Sequence, residues 1–292
     1  MGNKVSLYKR NRELISNTFK YILAFILCVF AVLPFLWIVA TSFNGAKSLL
    51  GANLIPKSVT LSNYIELLTS KTLNYSMWFL NSLKVSSISV VLIVILTAMA
   101  GYVLSRFRFR SKKYIMVGIM ILNVFPGILA MIAIFAMLQE LGVYIPFIGL
   151  NTHGGLIAIY VSGSMSINVL MVKAYIDTIP LSIDESALLD GASYWQIFWI
   201  MIFPMIRPII ITVAILSFMG TYGDFIIANI LLKGNENITV MVGIFQFTQQ
   251  RFDTDWGIVM AGTVIAALPA LLVFFLSQKH IVNGLTTGSV KQ

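Results

Sequence analysis

Hydrophobic positions in this chain do not alternate with polar ones; they run on. Six charge-poor stretches are long enough to cross a hydrocarbon core: Tyr21–Ala40, Val85–Leu104, Tyr114–Leu138, Leu156–Val172, Ile209–Leu232 and Trp256–Ser277. A crossing takes roughly 20 helical residues. Lipid gives a bare peptide group no hydrogen-bond partner, so each stretch is expected to be helical. Continuous apolar runs such as Val90–Leu96 exclude the alternating segments of a transmembrane barrel. The pattern predicts an all-α integral membrane protein with six transmembrane helices.

The first stretch follows a basic leader of Lys4, Lys9, Arg10, Arg12 and Lys20. It is longer than the apolar core of a secretory signal, about 7–15 residues, and no A-x-A-like site follows it. It reads as a retained anchor. Lys and Arg counts set the orientation. With the N-terminus inside, the inner segments hold fourteen and the outer ones six (Lys47, Lys57, Lys71, Lys84, Lys233, Arg251). Both termini are therefore expected to be cytoplasmic. Residues 1–20 form a cytoplasmic basic N-terminus, 21–43 the first transmembrane helix and 44–79 an extracellular loop. Residues 80–282 form a five-helix core, and 283–292 a cytoplasmic tail.

Composition agrees. The chain of 292 residues is 58% hydrophobic and 11% charged, against about 45–50% apolar and 25% charged in soluble domains. That excludes disorder, an ordinary soluble enzyme and, despite the +9 charge, a nucleic-acid module. The excess positive charge is an orientation signal, and the single cysteine, Cys28, rules out an intrachain disulfide.

Within the six stretches there is no Lys, Arg or Glu and one Asp, Asp224. Ion-coupled pumps usually carry intramembrane carboxylates or histidines. Either this is a passive pore or its energy enters from outside the bilayer. Gly45-Ala46-Lys47-Ser48 lacks the glycine that a P-loop needs directly before its lysine. His153 and His280 stand alone, so no metal spacing is present. No cofactor is expected; if ATP drives the protein, another subunit binds the nucleotide and its magnesium.

The connection between the fourth and fifth stretches is the most informative. Ser182 and Glu185 have capping-box spacing behind Pro180, which predicts a helix from Ile183 to Asp190 stopped by Gly191. Ser193 and Gln196 start a second helix that Pro204 bends or ends. Asp184, Glu185 and Asp190 lie beside Ile183, Ala187 and Leu188. That acidic and apolar mixture suits a protein groove better than anionic lipid. A well-capped, solvated loop would have the same pattern.

Glu185-Ser186-Ala187, Gly191 four residues after the alanine, and Met201-Ile202-Phe203-Pro204 together resemble the E-A-A…G…I-x-L-P signature of bacterial ABC importer permease subunits. Ser186, Met201 and Phe203 depart from it with similar volume and apolar character. Tyr144–Gly155, Val282–Lys291, and Ser217-Phe218 with Asp224 resemble the maltose-type branch, with strong similarity from about Asn81 onward.

The resemblance implies a type I ABC importer (MetI-like) permease fold and an inner-membrane location. It also implies a second, MalF-like permease, two MalK-like ATPase subunits and an extracellular sugar-binding protein as partners, in contact with membrane lipid and no nucleic acid. A coupling helix at about 183–203 would engage an ATPase through Asp184, Glu185, Ser186, Ala187, Asp190, Gly191 and Pro204. Asn283, Gly284, Leu285, Thr286 and Gly288 fall where the branch has a tail reaching between ATPase subunits. Gln249, Gln250, Arg251, Asp253 and Asp255 fall where it has a loop entering the binding protein's sugar cleft.

Sugar-path candidates are Asn123, Ser162, Ser166, Asn168, Tyr222, Asp224 and Asn229; for the serines, helix–helix bridging is the commoner meaning. Pro126-Gly127 is expected to kink the third span. The expected function is a non-catalytic subunit of an oligosaccharide importer, first for maltose or maltodextrins. Galacto-oligosaccharide cargo on the same machinery is the alternative. A self-sufficient secondary transporter or channel, or a membrane enzyme, has less support.

Overall fold

Among the described residues the long apolar runs form helices, and tertiary packing decides where those helices stop. The computed structural model describes residues 2–45, 58–70, 73–124, 127–249 and 254–287, with side-chain surroundings between Ser16 and Gln278, Ile128 excepted. Among the described residues, four helices are long and apolar enough to cross a membrane: Ser16–Ser42, Tyr75–Arg106, His153–Ile176 and Trp256–Gln278. They match the first, second, fourth and sixth expected spans.

The other two expected spans are interrupted. The third divides into a helix at Lys112–Val124, a 3-10 turn at Gly127–Ala130 and a helix at Met131–Tyr144. The interruption falls where Pro126-Gly127 predicts a kink, although Pro126 lies outside the described residues. The fifth was expected to reach Leu232, but its helix, Arg207–Tyr222, ends at Gly223 and a short helix follows at Ile226–Leu231. The Asp224 carboxylate supplies the reason. Its Oδ1 accepts the Ala228 N–H at 3.0 Å and the Tyr160 hydroxyl at 2.9 Å. A short acidic side chain that bonds nearby backbone favours a helix start over a helix interior.

In chain order the helices are α1 (Gly2–Ser42), α2 (Ser62–Thr69), α3 (Tyr75–Arg106), α4 (Lys112–Val124), α5 (Met131–Tyr144), α6 (His153–Ile176) and α7 (Leu181–Leu189). They continue with α8 (Tyr194–Met205), α9 (Arg207–Tyr222), α10 (Ile226–Leu231), α11 (Val240–Thr248) and α12 (Trp256–Thr287). The chain forms two compact units: residues 1–73 with 247–265, and 74–246 with 266–292.

In the first unit, α1 exposes its apolar residues from Phe19 to Leu36. Its C-terminal end is tied to α2, which lies inside the segment expected to be a loop. Asn63 Nδ2 donates to the Ser42 and Asn44 carbonyls at 2.9 Å each, and the Tyr64 and Ser42 hydroxyls pair at 2.7 Å. An amide with two carbonyl partners satisfies backbone groups that the end of α1 leaves open.

The second unit is centred on α3, which packs along α6 and α9. Small residues set the spacing. A Cβ built on Gly101 would lie 2.8 Å from Val172 Cγ1 and 3.2 Å from the Lys173 nitrogen. Membrane helices gain association from such close backbone approach, because lipid supplies no hydrophobic drive between them. The N-terminal half of α3 also holds the segment before α11: Trp78 Nε1 donates to the Asn235 carbonyl at 2.7 Å, Asn81 Nδ2 to the Glu236 carbonyl at 2.8 Å, and Ser82 Oγ accepts the Val240 N–H at 2.8 Å.

Replacing Gly101 with leucine forces α3 away from α6. The expected loss is about 1–3 kcal/mol from overpacking, read as a lower melting temperature of the purified protein in detergent.

Candidate functional site at the turn between α7 and α8

The α7–α8 connection is rigid because nearly every open backbone group at its turn is closed locally. At the end of α7, the Gly191 N–H bonds the Leu188 carbonyl at 3.1 Å and the Ala192 N–H bonds the Ala187 carbonyl at 2.9 Å. This is a Schellman closure with glycine in the left-handed position, and Gly191 has φ of 85°. Two residues later the Ser193 box forms as expected: Gln196 N–H donates to Ser193 Oγ at 3.3 Å, and Ser193 N–H to Gln196 Oε1 at 2.8 Å.

The expected first box does not form. Pro180 takes the N-cap position, so α7 starts at Leu181, one residue before Ser182, with no side-chain cap bond. Pro180, with ψ of 135°, is the last non-helical residue, so Ser182 falls inside the first turn.

The helix α8 continues through a π-helical stretch at Ile197–Ile202. It then meets α9 at a 76° bend, two residues beyond Pro204. Phe198, Trp199 and Phe203 cluster on α8 before this bend, with ring centroids 4.8 Å (Phe198–Trp199) and 5.0 Å (Trp199–Phe203) apart.

The helix α7 has two faces. Glu185, Ser186, Leu188, Leu189 and Asp190 are exposed, whereas Asp184 and Ala187 are buried. Asp184 was expected in the docking set; the structure turns it inward instead. Its Oδ2 lies 3.0 Å from Arg106 Nε, with both side chains nine-tenths buried or more. Neither atom has a well-aligned hydrogen bond, so the attraction is ionic. The Tyr102 hydroxyl donates to Asp184 Oδ1 at 3.4 Å.

Arg106 was counted only as an orientation charge, and its pairing was missed. Its two terminal nitrogens donate to the Ile176 carbonyl at 3.3 Å and the Ile179 carbonyl at 3.0 Å. One guanidinium thus joins the last turn of α3, the end of α6 and the first turn of α7. Beside it, Ser105 donates to Asp177 at 2.6 Å and Lys173 pairs with Asp177 at 2.5 Å. Burial pushes the Asp177 carboxyl up, but hydrogen bonds from Lys173 and Ser105 outweigh it and hold the group below its ordinary value.

The sugar-path candidates fall into separate groups. Asn168 Nδ2 donates to Ser217 Oγ at 3.3 Å, the Tyr222 hydroxyl donates to the Ala266 carbonyl at 2.9 Å, and Lys233 Nζ donates to the Asn229 backbone carbonyl at 3.0 Å. Asp224 is held by Tyr160. Ser166 donates to Asn123 at 3.2 Å, and with Ser162 it borders a mostly apolar cleft of about 550 Å³ among α3, α4 and α6.

Of the expected binding-protein loop, Gln250, Arg251 and Asp253 lie outside the described residues, and Gln249 follows α11. Asp255 accepts the Gly257 N–H at 3.1 Å at the start of α12. Backbone helix continues through Asn283, Gly284, Leu285 and Thr286 to Thr287, whereas Gly288 lies outside the described residues.

Long apolar helices joined by a capped, acidic turn define a multi-span membrane protein. The chain belongs to the family of binding-protein-dependent transport system inner membrane components, whose model matches residues 93–287. It is accordingly a multi-pass inner-membrane protein.

It is 34% identical over 281 residues to the galactooligosaccharides transport system permease protein GanQ of Bacillus subtilis (strain 168), covering 96% of this chain and 97% of that one. It is 39% identical over 271 residues to the maltose/maltodextrin transport system permease protein MalG of Vibrio vulnificus (strain YJ016), covering 89% and 90%. With MalG of Escherichia coli (strain K12) the identity is 37% over 269 residues, covering 88% and 90%. The fold is shared with a bacterial ABC transporter involved in the import of the acidic polysaccharide alginate, at TM-score 0.77 and 22% identity, covering 91% of this chain and 96% of that one.

A Cβ on Gly191 meets nothing within 4 Å, so alanine there carries only the left-handed backbone penalty. That penalty is roughly 1–2 kcal/mol. Gly191→Ala is expected to lower thermal stability by up to that amount, and Gly191→Asn by less, in parallel melts of the purified protein.

Proposed function

We propose that this chain is a non-catalytic transmembrane subunit of an ATP-driven, binding-protein-dependent oligosaccharide importer, with maltose or maltodextrins as cargo. The observation that supports this most is the α7–α8 turn. It presents Glu185, Ser186 and Asp190 outward on a helix closed at both sides of Gly191. In this reading both termini are cytoplasmic, and the chain crosses the membrane six times, with the broken α4–α5 and α9–α10 pairs completing the third and fifth crossings. Interrupted helices are tolerated at membrane depth where protein or a water-filled path satisfies their open groups.

Glu185 pairs with a basic residue of an ATPase cleft, and Leu188 and Leu189 fill its apolar wall. ATP and magnesium bind to two MalK-like partner subunits, whose closure displaces α7. A rigid stub between α6 and α8 passes that displacement to the spans, where a floppy loop would absorb it. A MalF-like permease supplies the other half of the path, residues 283–292 extend toward the ATPase pair, and the loop carrying Gln249 to Asp255 meets the sugar-binding protein.

Galacto-oligosaccharide import by the same machinery is the second reading. It is favoured by the similarity to GanQ, which spans 97% of that protein.

Glu185→Lys is expected to lower uptake and loosen ATPase association while leaving membrane insertion intact. Unchanged uptake and copurification would refute the docking role. Proteoliposomes holding this chain alone are expected to pass no maltotriose or galactotriose, with or without a proton gradient; robust flux would refute the multi-subunit reading.

A further inference from the structure

We infer that Arg106 is a positioning residue that makes α7 and α3 move as one body, so that displacement of the stub reaches the longest span of the second unit directly. The inference rests on α7 being the ATPase-docking element. It adds a route other than the chain connections into α6 and α8, and it assigns a task to a charge that the outward face of α7 does not use.

The argument starts from desolvation. A guanidinium and a carboxylate taken out of water hold together through their mutual attraction and through the hydrogen bonds that replace water. Arg106 meets Asp184 at 3.0 Å and two carbonyls at 3.0 and 3.3 Å. Those carbonyls, of Ile176 and Ile179, flank the turn that leads from α6 into α7. Shifting α7 relative to α3 would separate the buried charges and expose an unmet guanidinium. The two elements resist relative motion at this point far more than an apolar contact would.

Helix polarity adds to this. Arg106 occupies the last turn of α3 and Asp184 the first turn of α7, each the favourable end for its charge. Tyr102, one turn before Arg106, reaches the same carboxylate. Ser105, beside Arg106, holds Asp177 in the α6–α7 turn at 2.6 Å. Tyr102 and Arg106 on α3's last turns therefore grip the start of the stub, and Ser105 grips the turn that leads into it.

The test uses the full transporter complex with Cys28→Ser, Val103→Cys and Ser182→Cys, spin-labelled at the two introduced cysteines. The α3–α7 distance is measured without nucleotide and after trapping with ATP and vanadate. With Arg106 and Asp184 intact, one narrow distribution is expected in both states. In Asp184→Asn the distribution is expected to widen roughly two-fold and to shift with nucleotide, as two bodies moving separately would, while the ATPase subunits still copurify. A narrow, nucleotide-independent distribution in Asp184→Asn would overturn the inference.

If Asp184→Asn does not accumulate, Arg106→Lys decides. It keeps the charge but cannot reach all three acceptors, so widening supports the linkage and wild-type width overturns it. Glu185→Lys, run in parallel, separates the two readings. Normal ATPase association in that variant refutes docking through α7, whatever the distance distributions show.

Discussion

The Arg106 guanidinium, buried where three helices meet, is held by one carboxylate and two backbone carbonyls that stand in for water. Removing one partner of such a pair costs about 3–5 kcal/mol, because the other is left buried and uncompensated. Its contacts at 3.0 to 3.3 Å with Asp184, Ile176 and Ile179 therefore fix where α7 leaves α6 and how it sits on α3. The outward direction of Glu185 follows from that anchoring. On a helix of nine residues, turning Asp184 inward leaves Glu185 and Ser186 exposed.

The same rule of satisfied polar groups bears on where the fifth span breaks. Asp224 ends one helix and starts another because its carboxylate competes for backbone N–H groups and receives the Tyr160 hydroxyl. In place, its carboxylate accepts the Ala228 N–H in the first turn of α10 and the Tyr160 hydroxyl of α6. Asn168, Ser217 and Tyr222 likewise spend their polar atoms on neighbouring helices. The polar residues within the second unit are mostly structural ties.

The long helices, the Gly191 stop, the Ser193–Gln196 box and the corner after Pro204 were all legible in the sequence, because each depends on chemistry within a few residues. So was the family, through Glu185, Gly191 and Pro204. The Ser182 box was misread because Pro180, two residues upstream, took the cap position and shifted the start of α7. Asp184 was misplaced because sequence spacing says which residues share a face but not which face turns inward. Its partner lies 78 positions away.

Sequence alone determined that this is a membrane protein of long apolar helices with a capped acidic stub, since hydrocarbon forbids unsatisfied peptide groups and local caps need only local residues. Tertiary structure alone decided which spans are continuous, which acidic residue faces outward, and that Arg106 binds three elements together. Those outcomes depend on carbonyls and carboxylates brought close from distant parts of the chain, and no local pattern of residues encodes such distances.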